Sequence, residues 1–387
     1  MNKRNLFSFV WLLALGTVSL PAQTKQAKKI GDFIESTSYN EHKRGAERTL
    51  QYYPEGDDFV CINGKNRFTR ALYGSWSPFR LETSDRPVFA AYDKRNSKHI
   101  RFLLQGRGLS VALDSIEFCE ARYTAGRRTY LLKDAALGKG TLSVSVLAFP
   151  DADGAVWRFS AKDLAEDMVL RCFISEIRAK KLSRNGDMGA DPPGCFEAPE
   201  KPQMQKEYDL PLTDEAYLVL ENLDLKLVPL DEGRRLYQKA EDARKTLASR
   251  IRFTTPDPYF NTLGGALAVA ADGIWDGQVW LHGAVGWRMP LSGWRAAYTG
   301  DALGWHDRAR KHFDAYAASQ VTDVPNTIPH PAQDSALHLA RSVKKWGTPQ
   351  YSNGYICRNP RRNNQMHHYD MNLCYIDELL WHFNWTG

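Results

Sequence analysis

The sequence is poor in cysteine, with six in 387 residues (Cys61, Cys119, Cys172, Cys195, Cys357 and Cys374) and no CxxC pair. That excludes a zinc ribbon and a disulfide-dense scaffold, and leaves buried free thiols or one or two bridges. Past the N-terminus no apolar run of about 18 residues occurs, so no membrane-spanning helix is expected there. Basic tracts are missing as well. The net charge of +6 arises from 51 basic and 45 acidic residues spread along the chain, so no nucleic-acid partner is expected. No HExxH motif occurs, and adjacent His367 and His368 point to different helix faces, so neither a metal nor a cofactor is expected. Glutamate nearly vanishes from the last third, where Glu378 alone follows position 255.

What is present begins with Lys3 and Arg4 ahead of the apolar stretch Leu6 to Leu20, then Pro21-Ala22-Gln23. This is the charged, apolar and small-residue order of a secretory signal over 1–22. Cleavage is expected after Ala22, giving a periplasmic or secreted protein with no stable membrane insertion.

From about Thr49 to Val228 short alternating runs recur, among them Phe59 to Ile62, His99 to Leu104, Thr141 to Leu147 and Val156 to Phe159. Ala125-Gly126 and Asp151-Ala152-Asp153-Gly154 supply hairpin turns between them. The pattern predicts an antiparallel β-sandwich over 23–229, with Arg184 to Gln205 as an exposed insertion or lid. A charged, alanine-containing helix over 230–254 then leads to a helical domain over 255–387. That domain opens with Thr255-Pro256 as cap and first turn. Helices are expected over Leu263–Ile274, Leu291–Tyr298, Ala302–Ser319, Gln333–Lys345 and His368–Asn384. Tyr298-Thr299-Gly300-Asp301 reads as a glycine stop followed by an aspartate cap, and Trp385-Thr386-Gly387 repeats the stop. About five helices therefore make an incomplete domain, with apolar sides left without partners.

This layout resembles bacterial six-hairpin glycosidases, whose (α/α)6 barrels follow a β-sandwich. Thr255-Pro256-Asp257-Pro258, Ala271-Asp272-Gly273-Ile274-Trp275-Asp276, Trp280-Leu281-His282-Gly283-Ala284 and His368 to Asp377 look more narrowly like the Bacteroidetes family catalogued as domain of unknown function 4450. The resemblance implies an α+β multidomain fold, with a partial (α/α)6 toroid behind the sandwich and linker helix. It implies an exported polysaccharide-degrading protein, and it carries over no catalytic residues.

The residues supply candidates of their own. Eight of eleven tryptophans lie from Trp275 onward, and rings among carboxylates, amides and arginines suit sugars, which stack a C–H face and hydrogen-bond through hydroxyls. Trp305 and Trp381 fall within expected helices and should pack there, whereas Trp275, Trp280 and Trp287 fall in a glycine-rich loop that packing explains less well. Glycoside hydrolysis needs two carboxyl groups. Asp276, between Trp275 and Trp280, is the candidate acid. Asp370, at the start of the last helix, is the candidate base, or simply that helix's cap, and Glu378 is a third candidate. Asp377 shares a stripe with Asp370, Cys374 and Trp381 and should lie deep. Substrate-binding candidates are Trp275, Trp280, His282, Trp287, Arg288, His367, His368 and Asn372. Asp307 and Asp314 beside Arg308, Arg310 and Lys311 read as a solvated helix face. Arg341, Lys344, Lys345, Arg358, Arg361 and Arg362, with no acid between Asp334 and Asp370, suit an anionic glycan or a solvated surface equally. The leading expectation is a glycoside hydrolase acting on an oligo- or polysaccharide. Alternatives are a non-catalytic carbohydrate-binding fragment and a polysaccharide lyase using Tyr351, Tyr355 or His367 with Arg361. The oligomeric state is left open.

Overall fold

The structure, a computed structural model, describes residues 50–93, 96–106, 108–164, 167–182, 191–212, 214–283, 288–290, 297–320, 322, 332–334, 339–340, 354, 356–357, 359–361 and 369–387. The expected signal segment, and Trp287, His367 and His368, lie outside them.

The strands run in chain order as β1 (Tyr53–Glu55), β2 (Asp58–Ile62), β3 (Arg70–Leu72), β4 (Arg80–Thr83), β5 (Val88–Tyr92), β6 (Ser97–Gly106), β7 (Leu109–Ala112) and β8 (Phe118–Thr124). They continue as β9 (Arg127–Lys133), β10 (Thr141–Ala148), β11 (Gly154–Lys162), β12 (Val169–Ser175), β13 (Met204–Pro211), β14 (Ala216–Glu221) and β15 (Asp224–Leu227). One sheet has the order β1-β2-β8-β9-β10-β11-β14-β15 and the other β13-β12-β6-β5-β4-β3, with β7 beside β6. Period-two alternation sets which face is buried. In β10, Leu142, Val144 and Val146 point into the core between the sheets, while Thr141, Ser143 and Ser145 face the other way. Across the core Phe89 meets Trp157 edge to face at 5.5 Å and Phe102 meets Phe159 at 5.2 Å. All six cysteines are unbridged, and burial pushes the Cys119 thiol up to about 12.

The 191–203 segment is no lid. Phe196 is fully buried and stacks on Tyr92, and Glu197 accepts from Arg67 Nε at 2.6 Å. Its scattered polarity hid one apolar anchor.

Helix α1 (Leu230–Ala248) lies on the outer face of the larger sheet, where Leu147, Val156, Tyr217 and Val219 turn outward and meet Leu236, Tyr237 and Ala240. Buried Glu241 accepts from Arg244 at 2.8 Å and Arg127 at 3.0 Å, tying α1 to the β8–β9 turn. Burial opposes ionisation of Glu241, but the two guanidinium groups outweigh it and hold its pKa below the usual value.

Helix α2 (Pro258–Gly273) starts before the expected Leu263, and its cap lies two residues past the expected Thr255: Asp257 is the cap, its side chain accepting from Tyr259 N at 2.8 Å, and Pro258 takes the first position. Helix α3 (Ala297–Ala302) runs straight through Thr299-Gly300-Asp301, where a stop was expected. The break falls at Gly304, with φ +71°, where Trp305 N donates to Gly300 O at 2.7 Å and Gly304 N to Asp301 O at 2.9 Å. This is a Schellman closure. Gly300 has another reason to be glycine, since a Cβ there would lie 2.3 Å from the Trp280 ring.

Helix α4 (His306–Ala317) and helix α5 (Tyr369–Thr386) complete the described helices. Asp301 accepts from His306 Nδ1 at 2.7 Å and from His382 Nδ1 at 2.9 Å, so it joins three helices instead of capping one. Tyr375, Glu378 and His382 form the packed side of α5. Asp377 lies on the solvent side, accepting from the Tyr298 hydroxyl, and Trp381 is 52% exposed, contrary to the expectation for both. The apolar side chains of α5 surround too much of the helix for their spacing to choose a face. Where Gln333 to Lys345 suggested a helix, strands β16 (Ala332–Asp334) and β17 (Leu339–Ala340) pair instead. A short apolar run does not distinguish the two by period.

Two antiparallel sheets and a small set of helices thus make a mixed α+β structure. Among the described residues no helix is long and apolar enough to cross a membrane.

Candidate functional site

The sandwich and the helices meet along a seam built from the β3–β4 loop and the C-terminal end of α2. In that loop Ser75 Oγ donates to Asp153 Oδ1 at 3.0 Å, and Ser77 Oγ donates to the same oxygen. The double tie projects Trp76 toward the helices with 47% of its surface exposed. Arg308 of α4 stacks over Trp76 at 5.2 Å, over Trp275 at 5.6 Å and over Trp305 at 4.3 Å, while Asp272 accepts from its Nη1 at 2.7 Å. Arg250 covers Trp305 at 4.9 Å. A cleft of 370 Å³ opens here, lined by Tyr73, Trp76, Trp305, Arg250, Arg308 and Asp272 together with one side of α1. It combines an accessible ring, a carboxylate and fixed guanidinium groups within one concavity.

The neighbouring loop is a tight turn. Trp275 pairs with Trp280 as an antiparallel bridge, and Asp276 Oδ1 accepts from Gln278 N at 3.0 Å and Val279 N at 2.8 Å. Asp276 Oδ2 accepts from Arg361 Nη2 at 2.6 Å, and Arg361 Nε donates to Gln278 at 2.9 Å. Both carboxylate oxygens are therefore acceptors already engaged, which suits a positioning group better than a proton donor. Trp275 and Trp280 are 2% and 0% exposed, their centroids 4.8 Å apart, so packing does explain them. The loop folds back onto α4 and buries both rings, a contact invisible to local pattern. His312 of α4 fixes the turn from below. Its Nδ1 accepts from Trp280 N at 3.1 Å, and burial lowers its pKa to about 3 against a weaker opposing pull from Asp276.

Arg288 is committed to the seam as well. It donates to Gly273 O at 3.1 Å and to Trp76 O, and burial with Arg80 nearby lowers its pKa to about 10. His282 is half-buried, and its backbone N–H bonds Met289 O at 3.0 Å. Asn372 accepts from Ile356 N at 2.9 Å. Glu378 is 1% exposed on the packed side of α5. Asp370 lies in the first turn of α5, and its side chain is outside the described residues. The structure thus gathers Asp276, Trp275, Trp280 and Arg288 at the seam, with Glu378 in the helix interior.

Trp76, Asp272 and Arg308 were not among the sequence candidates. Arg308, read as part of a solvated face, lies instead among three indoles. For Trp76 a signal existed: a large ring set in Gly74-Ser75-Trp76-Ser77-Pro78, a turn composition.

Among the described residues no three His, Cys, Asp or Glu side chains are grouped to hold a metal ion. No curated protein matches the sequence. Among solved structures, a bacterial glucoamylase complexed with acarbose is similar at a TM-score of 0.37 and 9% identity, over 68% of this chain and 55% of that chain. This chain therefore spans little more than half the length of that enzyme. Within the sequence, residues 96–231, from β6 to the first turn of α1, match the family model described as Domain of unknown function (DUF4450).

Proposed function

We propose that this protein acts on a saccharide as a glycoside hydrolase of six-hairpin type, with α2 to α5 as part of its toroid and the sugar held in the seam cleft. Export to the periplasm or medium through the 1–22 segment belongs to the same proposal. The observation that supports it is the half-exposed Trp76 indole at a cleft whose Arg308 is clamped by Asp272. A pyranose presents an apolar face to such a ring and hydroxyls to such a pair. With both its oxygens accepting, Asp276 fits the base or a sugar-hydroxyl acceptor, which leaves the acid to Asp370, since Glu378 is shut into the packed side of α5. A non-catalytic carbohydrate-binding protein is the second reading, favoured by the engagement of Asp276 with Arg361. The same ion pair counts against a lyase that would use Arg361 to neutralise its substrate.

The test uses the full chain on a panel of neutral and anionic oligosaccharides, reading affinity by calorimetry and bond cleavage by reducing-end release. Trp76→Ala should weaken binding by about tenfold or more. Asp276→Asn should lower turnover by orders of magnitude with affinity nearly kept. Unchanged affinity in Trp76→Ala would rule out the cleft, and binding without any cleavage would select the second reading.

A further inference from the structure

The outward face of the larger sheet changes character at Tyr237. On the side of α1, that face is apolar where Leu147, Val156 and Val219 meet the helix. Beyond Tyr237, the same outward face of β9, β10 and β11 carries short hydroxyl side chains in cross-strand rows. Ser145 sits opposite Thr129 and Arg158, Ser143 opposite Leu131 and Ser160, and Thr141 opposite Lys162. Short side chains on the central strand between longer flanking ones leave a trough of 520 Å³ along β10. From Thr141 to Ser145 it runs about 13 Å, four residues of strand rise.

Three observations separate this trough from an ordinary solvated sheet face. One end is walled by Tyr237, whose hydroxyl lies 2.7 Å from Ser145 Oγ. The lining includes Arg127, Arg158 and Lys162 and no carboxylate. Glu241 and Glu215, which pair with the two arginines, are not among the lining residues. Finally, the side chains of Thr141, Ser143, Ser160 and Lys162, unlike their ladder-bonded backbones, have no hydrogen-bond or ion partner among the described residues. The trough therefore offers free hydroxyls on its floor and cations on its sides, the donor set for a hydroxyl-rich chain bearing carboxylate or sulfate groups. Helix α1 stands as a ridge between it and the seam cleft, with Tyr237 lining the trough and Ala240 and Ala243 the cleft.

We infer that the trough along β10 is a second saccharide site, distinct from the seam cleft, and that it takes an anionic oligosaccharide. The sugar chain lies along β10, its hydroxyls on Ser143 and Ser160 and its acidic groups toward Lys162 and Arg158. The site does not depend on the cleft or on any catalytic assignment.

Calorimetry on the full chain with tetragalacturonate, and with maltotetraose as the neutral probe, tests it. Ser143→Tyr fills the trough with a residue that strands accept readily, so the fold should survive, as an unchanged melting temperature would verify. Tetragalacturonate should bind the wild type about tenfold or more tighter than maltotetraose, and Ser143→Tyr should weaken it by about tenfold or more. Lys162→Ala should weaken it less and flatten its dependence on salt. No binding of tetragalacturonate by the wild type, equal binding of the two probes, or unchanged affinity in a folded Ser143→Tyr would each overturn the inference. Loss in Trp76→Ala with retention in Ser143→Tyr would assign the sugar to the cleft and end the case for the trough.

Discussion

Arg80 of β4 donates to the carbonyl oxygen of Gly273, the last residue of α2, at 3.1 Å. A strand of the sandwich thereby caps a helix of the other layer. Arg80 is fully buried, and burial depresses its pKa despite Tyr73, whose ring lies 4.7 Å from the guanidinium carbon. Its charge faces the negative end of α2, where unpaired carbonyls gather. Arg80→Met should therefore lower the unfolding free energy by about 2 to 4 kcal/mol, as carbonyls of Ser77 and Phe79 also lose their donor. Denaturant titration checks this. A change within about 0.5 kcal/mol would show that the seam does not rely on this bond.

Helix propensity alone says that Gly300→Ala should stabilise α3 by about 1 kcal/mol. The structure says the reverse. With Trp280 carbon only 2.3 Å from the added methyl, the substitution should cost about 1 to 3 kcal/mol and change Trp280 fluorescence. A stabilised variant with an unaltered spectrum would contradict the packing of α3 on Trp280.

The buried titrating groups give opposite pH signatures. His312 is lowered from 6.5 to about 3, so the unfolded chain takes up a proton that the folded one refuses. Its contribution is complete above pH 6.5 and falls away as pH drops toward 3, by up to about 1.4 kcal/mol per unit. Glu82 is raised from 4.5 to about 8 by burial, with the Tyr92 hydroxyl and Arg80 opposing, and accepts from Tyr92 at 3.2 Å. Its contribution is complete below pH 4.5 and lost as pH rises through 8. Relative to wild type, His312→Gln should gain stability on acidification and Glu82→Gln on alkalinisation. Parallel lines across pH 4 to 8 in paired unfolding curves would show that neither group is titrating as its burial requires.

Helix α5 turns Leu373, Ile376, Leu380, Trp381 and Phe383 to the solvent, each more than half exposed. Such a surface should bind an apolar dye strongly. Ile376→Lys with Trp381→Lys should reduce the dye signal while the melting temperature holds, because neither ring nor branch is part of the Tyr375–Glu378–His382 side. A fall in melting temperature of several degrees would mean that these side chains are covered in solution.

Much of the fold was legible locally. The strands of the sandwich, the Ala125-Gly126 hairpin and helix α1 follow from period-two alternation, from a glycine at φ +94° and from a charged alanine-containing run, all of which depend on near neighbours. The site was legible only in part. Asp276, Trp275, Trp280 and Arg288 were separate candidates among others, and at the seam they are an engaged acceptor, two packed rings and a tie to Trp76 O.

What the sequence by itself determined is the kind and order of the elements, because strand and helix periods and turn chemistry act over a few residues. The tertiary structure decided which groups are buried and which are left for a ligand. Gly300 and Gly304 are both glycines near a helix end in sequence, and the structure tells them apart: Gly304 takes φ +71° and closes α3, whereas Gly300 stays helical beneath the Trp280 ring. Asp377 and Glu378 are adjacent, and the packing of α5 against α3 and α4 buries Glu378 and exposes Asp377. Arg308 reads as one charge on a solvated face until Trp76, 232 positions earlier, and Asp272 close over it. Burial is a property of partners distant in the chain, and so no window of sequence contains it.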